Sequence, residues 1–224
     1  MEEWKLSLPN KNTIGKPSAL AKVIGPRVQN KIICLVIRAH NILAGTHRVQ
    51  QDWEEDRITS ALGIEISNLW RSLRRCSPVH SYTPQTQFPL FPKLSKRGKA
   101  RTIDFVFLKG YTEQVYFAFE CKIVNHSDTK LITEYIDNGM NRYISGYYST
   151  NLFVGGMIGY MFNNEVVLTV NRINYKIQTC GNLSANDCLK QDITIQGWEY
   201  LYESKHRRLT DNNEFAIRHL FFAF

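Results

Sequence analysis

The stretch of sequence that decides the fold covers residues 101–124 and reads RTIDFVFLKGYTEQVYFAFECKIV. It contains two segments rich in aromatic and β-branched residues, 101–108 and 115–124, separated by the polar residues 109–114. Such a pattern predicts two β-strands joined as a hairpin. Apolar residues occupy both alternating faces of each segment, which is typical of central strands that other elements cover on each side.

Three charged residues interrupt these apolar strands. Because alternate residues of a strand share a face, Glu120 and Lys122 lie together, and the hairpin can bring Asp104 onto the same face. Burying charges without partners is costly, and a divalent cation held by carboxylate oxygens would compensate for it. A buried ion pair of Lys122 with either carboxylate, in a sheet without catalytic function, is the alternative interpretation.

The same residues resemble the signature of a nuclease superfamily. Residues 102–104 (Thr-Ile-Asp) followed by 119–122 (Phe-Glu-Cys-Lys) are similar to the D…ExK motif of the PD-(D/E)xK, or restriction-endonuclease-like, superfamily. The likeness extends as an arrangement of elements over residues 50–160, and Ile103 stands where the family pattern has proline. It implies an α/β fold in which a central mixed β-sheet carries a catalytic hairpin and has helices on both faces.

The resemblance also implies roles for individual residues. It implies metal binding, to Mg²⁺ or Mn²⁺, by Asp104, Glu120 and the backbone carbonyl of Cys121, with Lys122 assisting the attacking water. The family's helix before the hairpin frequently contributes a glutamate. Glu55 is the better match because apolar residues share its helical face, and the neighbouring residue Glu54 is the alternative.

The Glu-x-Lys spacing alone carries little weight, because a chain of this length should contain about one instance by chance. Two further instances occur, at residues 3–5 and 203–205. No strand precedes the first. The second follows Asp192, but Glu203 lies at the polar end of its segment, where a solvated charge needs no explanation. Only the set of Asp104, Glu120 and Lys122 has all its members within apolar strands.

Basic residues favour a polyanionic partner. The chain carries 28 basic and 20 acidic residues, a formal charge of +8, and its basic residues concentrate at 71–75, 93–101 and 205–208. Each run could also be a solvated face, and for Ser204, His206 and Arg207 a surface cluster is the favoured interpretation. The candidate nucleic-acid contacts are Lys93, Lys96, Arg97, Lys99, Arg101, Arg142, Lys205, Arg207 and Arg208.

The periodicity of the remaining chain predicts one domain over residues 29–224, preceded by an arm or irregular lead-in at 1–28. Helices are predicted at 31–44, 49–62, 64–73, 129–145 and 213–220. Residues 77–95, with four prolines, are predicted to form a long loop. Strands or extended segments are predicted at 152–160, 165–170, 175–179, 192–195 and 198–202.

Several protein classes are disfavoured by the sequence. It has neither an apolar stretch long enough to span a bilayer nor a signal peptide, which favours a soluble cytoplasmic protein without membrane contacts. The five cysteines form no Cys-x-x-Cys pair, which favours a reducing compartment and argues against structural zinc. The glycines do not match the spacing of nucleotide-binding loops.

The expected function is therefore that of a metal-dependent endonuclease that hydrolyses DNA phosphodiester bonds. The superfamily resemblance suggests restriction, anti-phage defence or repair as the setting, and a homodimer or a partner subunit is plausible by analogy. The alternatives are a catalytically inactive nucleic-acid-binding subunit of a larger complex and an RNA nuclease.

Overall fold

The computed structural model describes residues 24–46, 48–94, 100–109, 116–148, 153–179 and 183–224, with the backbone alone for 90–94, 100 and 101. Its helices are α1 (Pro26–Gly45), α2 (Glu55–Ser72), α3 (Thr129–Tyr135), α4 (Asn141–Ile144) and α5 (Val166–Thr179). A π-helical turn spans Ile136–Met140, and 3₁₀ turns span Pro78–Ser81 and Ala185–Asp187. The strands are β1 (Tyr82–Leu94), β2 (Ala100–Lys109), β3 (Tyr116–Ile123), β4 (Val154–Met161), β5 (Lys190–Gln191), β6 (Leu201–Arg207) and β7 (Glu214–Ala223).

The strands form a seven-stranded mixed sheet in the order β1-β2-β3-β4-β7-β6-β5. The hairpin β2–β3 is antiparallel, as the sequence predicts, and pairs Phe105 with Phe119. Strands β3, β4 and β7 run parallel to one another, whereas β1 and β2 on one side, and β7, β6 and β5 on the other, pair antiparallel. The chain is therefore an α/β protein with a mixed central sheet.

Alternate residues of the hairpin enter two separate hydrophobic clusters, one on each face of the sheet. Phe117, Phe119 and Cys121 belong to a cluster that includes buried residues of α1 and α2. Tyr116 and Ala118 belong to the other, which includes buried residues of α3, α4 and α5. Helices therefore cover both faces of the central strands, and the charged residues of β3 share the second face with Ala118.

The prediction of a loop over residues 77–95 is wrong, because most of this segment forms β1. Pro84 and Pro89 lie within the strand, opposite Phe107 and Thr102 of β2. Proline lacks a backbone N–H and is tolerated in edge strands, and β1 is at the edge of the sheet. Proline in this segment does not indicate a break in regular structure. It is compatible with a strand that lies at the edge of the sheet.

The predicted helices 49–62 and 64–73 are one helix, α2, which begins only at Glu55 and continues through Gly63. A Cβ at Gly63 would collide with the Thr86 side chain on β1 and lie 3.2 Å from Cε1 of Phe105. Glycine at this position therefore permits the close approach of α2 to β1 and β2. Likewise, α1 begins at Pro26, within the expected lead-in, with proline in the first turn.

Assignments in the C-terminal third are also corrected. The expected extended segments 165–170 and 175–179 form the helix α5, whose buried residues Val166, Thr169, Val170, Ile173 and Ile177 recur at helical spacing. The expected helix 213–220 is instead strand β7, and residues 192–195 form no strand. The errors at α5 and β7 involve short apolar runs rich in β-branched or aromatic residues, for which local sequence does not separate helix from strand.

The helix predicted over residues 129–145 forms with an interruption. Asp128 caps its N-terminus by accepting from the backbone N–H groups of Lys130 and Leu131. The π-helical turn Ile136–Met140 then separates α3 from α4. Within the described residues, no helix is both long enough and apolar enough to cross a membrane.

Candidate active site

The candidate site begins where the paired part of β2 and β3 ends. The antiparallel ladder between the two strands stops at the Phe105–Phe119 pair. Beyond it, the backbone N–H of Cys121 donates to Oδ2 of Asp104 at 2.7 Å. The Asp104 carboxylate thus accepts the hydrogen bond from β3 that a backbone carbonyl would accept in a regular ladder. This bond holds Asp104 beside Glu120.

Both oxygens of the Glu120 carboxylate are held by donors. Its side chain is buried, with 1% of its surface exposed. Nη1 of Arg142 donates to Oε1 at 2.5 Å, and Nζ of Lys122 lies 3.1 Å from the same oxygen. The hydroxyl of Tyr148 donates to Oε2 and accepts from Nη1 of Arg142 at 2.7 Å. These contacts fix the orientation of the carboxylate before any ligand is bound.

The ammonium of Lys122 lies among three oxygen atoms. Nζ is 2.6 Å from Oε1 of Glu55, 2.6 Å from the backbone oxygen of Cys121 and 3.1 Å from Oε1 of Glu120. An ammonium has three N–H donors, so all three can be used here. The candidate lysine is therefore tied to three of the oxygen-bearing groups that the family resemblance implies.

Glu55 joins the site from the first residue of α2. Besides its ion pair with Lys122, its Oε2 accepts from the backbone N–H of Ile123 at 3.2 Å. The neighbouring Glu54 is exposed and occupies the N-cap position. Of the two glutamates considered from the sequence, the structure brings Glu55 to the hairpin and leaves Glu54 outside.

Two residues from outside the sheet, Arg142 and Tyr148, contact Glu120, and both follow the turn after α3. Gly139, in the π-helical turn, lies so close to β4 that a Cβ there would collide with the Met157 side chain. This close approach carries Arg142, in α4, to the carboxylate. Tyr148 follows as the chain turns back, with its backbone N–H donating to the Arg142 carbonyl at 3.1 Å.

The charges of the site shift one another's pKa values. Burial, together with the nearby Glu120 carboxylate, raises the pKa of Asp104 to about 7. Burial also raises the pKa of Glu120, against the opposing effects of Lys122 and Arg142. Burial disfavours the charged ammonium of Lys122, but the surrounding carboxylates outweigh it and raise the pKa of the lysine. Lys122 is therefore protonated at neutral pH and serves as a donor, not as a base.

The donor set fits a divalent cation that prefers oxygen ligands. Among the described residues, no cationic side chain lies within 4.0 Å of Asp104, although the residue is partly buried. With Asp104 ionised, Asp104, Glu120 and Glu55 carry three negative charges against the two positive charges of Lys122 and Arg142. The described residues contain no ready-made cluster of three His, Cys, Asp or Glu side chains for a metal. A Mg²⁺ or Mn²⁺ ion would thus need the Cys121 carbonyl, waters or substrate as additional ligands.

Apart from Arg142, the predicted basic contacts separate into three groups. The side chains of Lys93, Lys96, Arg97, Lys99 and Arg101 lie outside the described residues. Lys205 and Arg207 are exposed and make long ion pairs with Glu203 at 3.6 Å and Glu214 at 4.0 Å. Arg208, in contrast, is buried and pairs with Asp211 at 3.3 Å. Its assignment as a surface contact to nucleic acid is wrong, because it points into the core next to the ring of Phe215.

The interpretation of Ser204 and His206 as part of a surface cluster is also wrong. Asp187 contacts Nδ1 of His206 at 2.5 Å, and Nε2 of His206 contacts the Ser204 hydroxyl at 2.6 Å. The same hydroxyl lies 2.7 Å from Nε2 of His219, whose Nδ1 lies 2.8 Å from the Tyr135 hydroxyl. The order Asp-His-Ser is that of a hydrolase triad. However, the hydroxyl of Ser204 is buried and bonded on both sides, so it cannot reach a substrate.

The competing Glu-x-Lys set at residues 203–205 does not assemble. Asp192 pairs with Arg218 at 2.7 Å, and Lys205 has 81% of its side chain exposed. The sequence reasoning did not identify Tyr148, for which no spacing or motif gives a signal. It gave Arg142 only a contact with phosphate, whereas the structure also pairs this residue with Glu120.

Comparisons with known proteins do not assign this chain to a family. No protein-family model, no curated protein and no solved structure matches this chain.

Proposed function

We propose that the chain is a metal-dependent endonuclease of the PD-(D/E)xK type that hydrolyses phosphodiester bonds of DNA. The observation that carries this proposal is the cluster of Asp104, Glu120 and Lys122 at the end of the β2–β3 ladder, with Glu55 joined to it. Buried charge of this kind is rarely the most stable choice for a fold. A surplus of one carboxylate over the cations supports a site that takes up a metal ion.

Each residue of the site would have a separate role in phosphodiester hydrolysis. Asp104, Glu120 and the Cys121 carbonyl would hold Mg²⁺ or Mn²⁺. When bound, the ion would acidify a water and neutralise charge on the phosphate. Lys122, being protonated, would donate a hydrogen bond to the attacking water or to a phosphate oxygen. For this, its ammonium has to leave part of the oxygen set that it contacts in the structure.

Arg142 and Tyr148 would keep Glu120 in position. Because they hold both of its oxygens, the carboxylate cannot rotate freely when the metal arrives. Side chains whose geometry is set in advance do not have to reorganise during the reaction. Arg142 has about a third of its side chain exposed, so it could also contact a phosphate of the bound strand.

A second candidate function is a nucleic-acid-binding subunit without catalysis. The observation in its favour is that Lys122 already satisfies Glu55, Glu120 and the Cys121 carbonyl, so most of the cluster is a complete ion-pair network. Such a network needs no metal to be stable. An RNA nuclease would use the same residues as a DNA nuclease and differs only in the substrate.

The test is a cleavage assay with supercoiled plasmid, single-stranded DNA and RNA in Mg²⁺, Mn²⁺ or EDTA. The wild type is compared with Glu120→Gln, which removes the charge at nearly constant volume, and with Glu203→Gln as a matched control. We expect cleavage of DNA that requires the metal, disappears in Glu120→Gln and persists in Glu203→Gln. Loss of cleavage in Glu203→Gln alone would transfer the site to residues 203–205. Metal-independent binding without cleavage of any substrate would favour the second candidate.

The biological setting follows only from the superfamily resemblance, which suggests restriction, anti-phage defence or repair. A symmetric dimer would bring two such sites to the two strands of a duplex. The plasmid assay bears on this directly. Concerted cutting of both strands produces linear DNA without an accumulating nicked form, as expected of paired sites.

A further inference from the structure

A cavity of about 760 Å³ lies outside the charged cluster, and no residue of that cluster lines it. Its apolar wall is formed by Ile144, Phe153, Leu183, Leu209 and Phe215. The volume falls within the range of sites that bind small organic groups, roughly 300–1,000 Å³. Two aromatic rings and three aliphatic side chains suit a flat, largely apolar group.

Two ring contacts connect this cavity to the candidate site. Phe215 stacks on Tyr143 with ring centroids 5.7 Å apart, and Tyr143 meets Tyr148 edge to face at 5.0 Å. The hydroxyl of Tyr148 then holds Glu120. The cavity wall therefore lies about two aromatic rings from the carboxylate. Tyr143 and Tyr148 are themselves buried, so a strand that occupied both places would pass over these rings and not between them.

The rim of the cavity carries two exposed cationic side chains together with two carboxylates, Asp187 and Glu214. Lys205 and Arg207 both line it and are largely exposed. Their carboxylate partners, Glu203 and Glu214, are 3.6 and 4.0 Å away, and exposed pairs of this length contribute little to stability. A phosphate group could therefore replace these carboxylates at a small cost.

We propose that this cavity receives one unpaired base of the strand that is cut at the neighbouring charged cluster, with Lys205 and Arg207 contacting the adjoining phosphates. The proposal rests on the nuclease function and adds to it a preference for single-stranded or locally opened nucleic acid. Stacking of bases on aromatic side chains combined with cationic contacts to the backbone is how single strands are commonly bound. A base within a duplex is stacked and paired, and it cannot enter such a cavity unless it is extruded.

The decisive experiment compares two strands that differ only in their bases. Binding of a fluorescent oligothymidylate and of an abasic strand of the same length is measured by anisotropy, in EDTA so that neither strand is cut. Phosphate contacts are common to both strands, so the ratio of their affinities reports on the bases alone. The variants are Leu209→Ser and Phe153→Ala, with Leu168→Ser as the matched control on the outer surface of α5.

We expect the wild type to bind the oligothymidylate roughly tenfold more tightly than the abasic strand, as one stacked base would give. Leu209→Ser and Phe153→Ala should bring the ratio close to one, and Leu168→Ser should leave it unchanged. Leu209 is 77% exposed, so its replacement tests the cavity without threatening the fold. Equal affinities in the wild type, or a ratio that survives both cavity variants, would overturn the proposal.

The cleavage assay described above separates this inference from the proposed function. Metal-dependent cleavage by a wild type that binds both strands equally would overturn the base-binding cavity and leave the nuclease in place. A base-dependent ratio that is lost in the cavity variants, from a protein that cuts nothing, would support the cavity and overturn the catalytic function.

Discussion

Replacing Asp104 by asparagine should make the protein more stable and inactive at the same time. Asp104 is half-buried next to Glu120, and its closest donor is the backbone N–H of Cys121. Asparagine has nearly the same volume and keeps a carbonyl oxygen that can accept from that N–H. The substitution therefore removes a buried negative charge and its repulsion with Glu120 while preserving the hydrogen bond.

The size and the pH dependence of the effect follow from the pKa of Asp104. Burial raises this pKa from 3.8 to about 7, so between those values the folded state keeps a proton that the unfolded state has released. The free energy of unfolding then falls as pH rises through this window, by up to about 1.4 kcal/mol per pH unit, or about 4 kcal/mol in all. Because Asp104 is only half-buried, solvent screening reduces the expected gain of Asp104→Asn to roughly 1–3 kcal/mol above pH 7.

Urea unfolding of the wild type and of Asp104→Asn, at about pH 5 and about pH 8, measures this difference. The variant should be more stable at both pH values, and at about pH 5 its advantage should be roughly a third of that at about pH 8. Mg²⁺ should stabilise the wild type at the higher pH, because it binds only the folded state, and should stabilise the variant much less. A variant that is less stable than the wild type at both pH values would refute the argument that Asp104 is an uncompensated charge.

Three further predictions concern the surroundings of the site. Tyr148→Phe should lower the free energy of unfolding in urea by about 1.5–3 kcal/mol, because buried Glu120 loses a hydrogen-bond donor. An unchanged urea midpoint would contradict the hydrogen bond between Tyr148 and Glu120. Gly156→Ala should cost about 1–3 kcal/mol in thermal unfolding, since its Cβ would collide with the Phe119 ring, and a neutral effect would contradict the packing. Burial lowers the pKa of His219, so this residue contributes a loss of up to about 1.4 kcal/mol per pH unit as pH falls below about 6.5, opposite in sign to the contribution of Asp104. In the Asp104→Asn background, His219→Gln should therefore flatten the pH dependence measured in urea titrations, and an unchanged slope would contradict it.

The sequence was sufficient to predict the central hairpin and not the edges of the sheet. Residues 101–108 and 115–124 were recognisable because their apolar residues fill both faces of a strand. In β1, by contrast, the prolines give the segment the local sequence pattern of a loop. Their tolerance depends on the edge position, which is a property of the whole sheet. The predictions for α5 and β7 were wrong because short apolar runs are compatible with both a helix and a strand.

The candidate site could be predicted to the extent that its residues share an element. The alternation along β3 was enough to place Glu120 and Lys122 on one face, and the helical face of Glu55 distinguished it from Glu54. The contacts of Arg142 and Tyr148 with Glu120 depend on a π-helical turn and on the bend that follows it. The sequence contains no periodic signal for either feature, so no pattern could have revealed these partners.

Within the cluster, Asp104 is the residue whose contacts bear most directly on the proposed metal site. Glu120 is held by Arg142, Lys122 and Tyr148, and Glu55 by Lys122, so these groups are satisfied without any metal. Asp104 is the exception: its carboxylate meets a backbone N–H and no cation within the described part of the chain. An inactive structural network would gain stability by losing that charge, whereas a nuclease requires it to hold the metal. An aspartate at this position therefore supports the proposed metal binding more than a purely structural network.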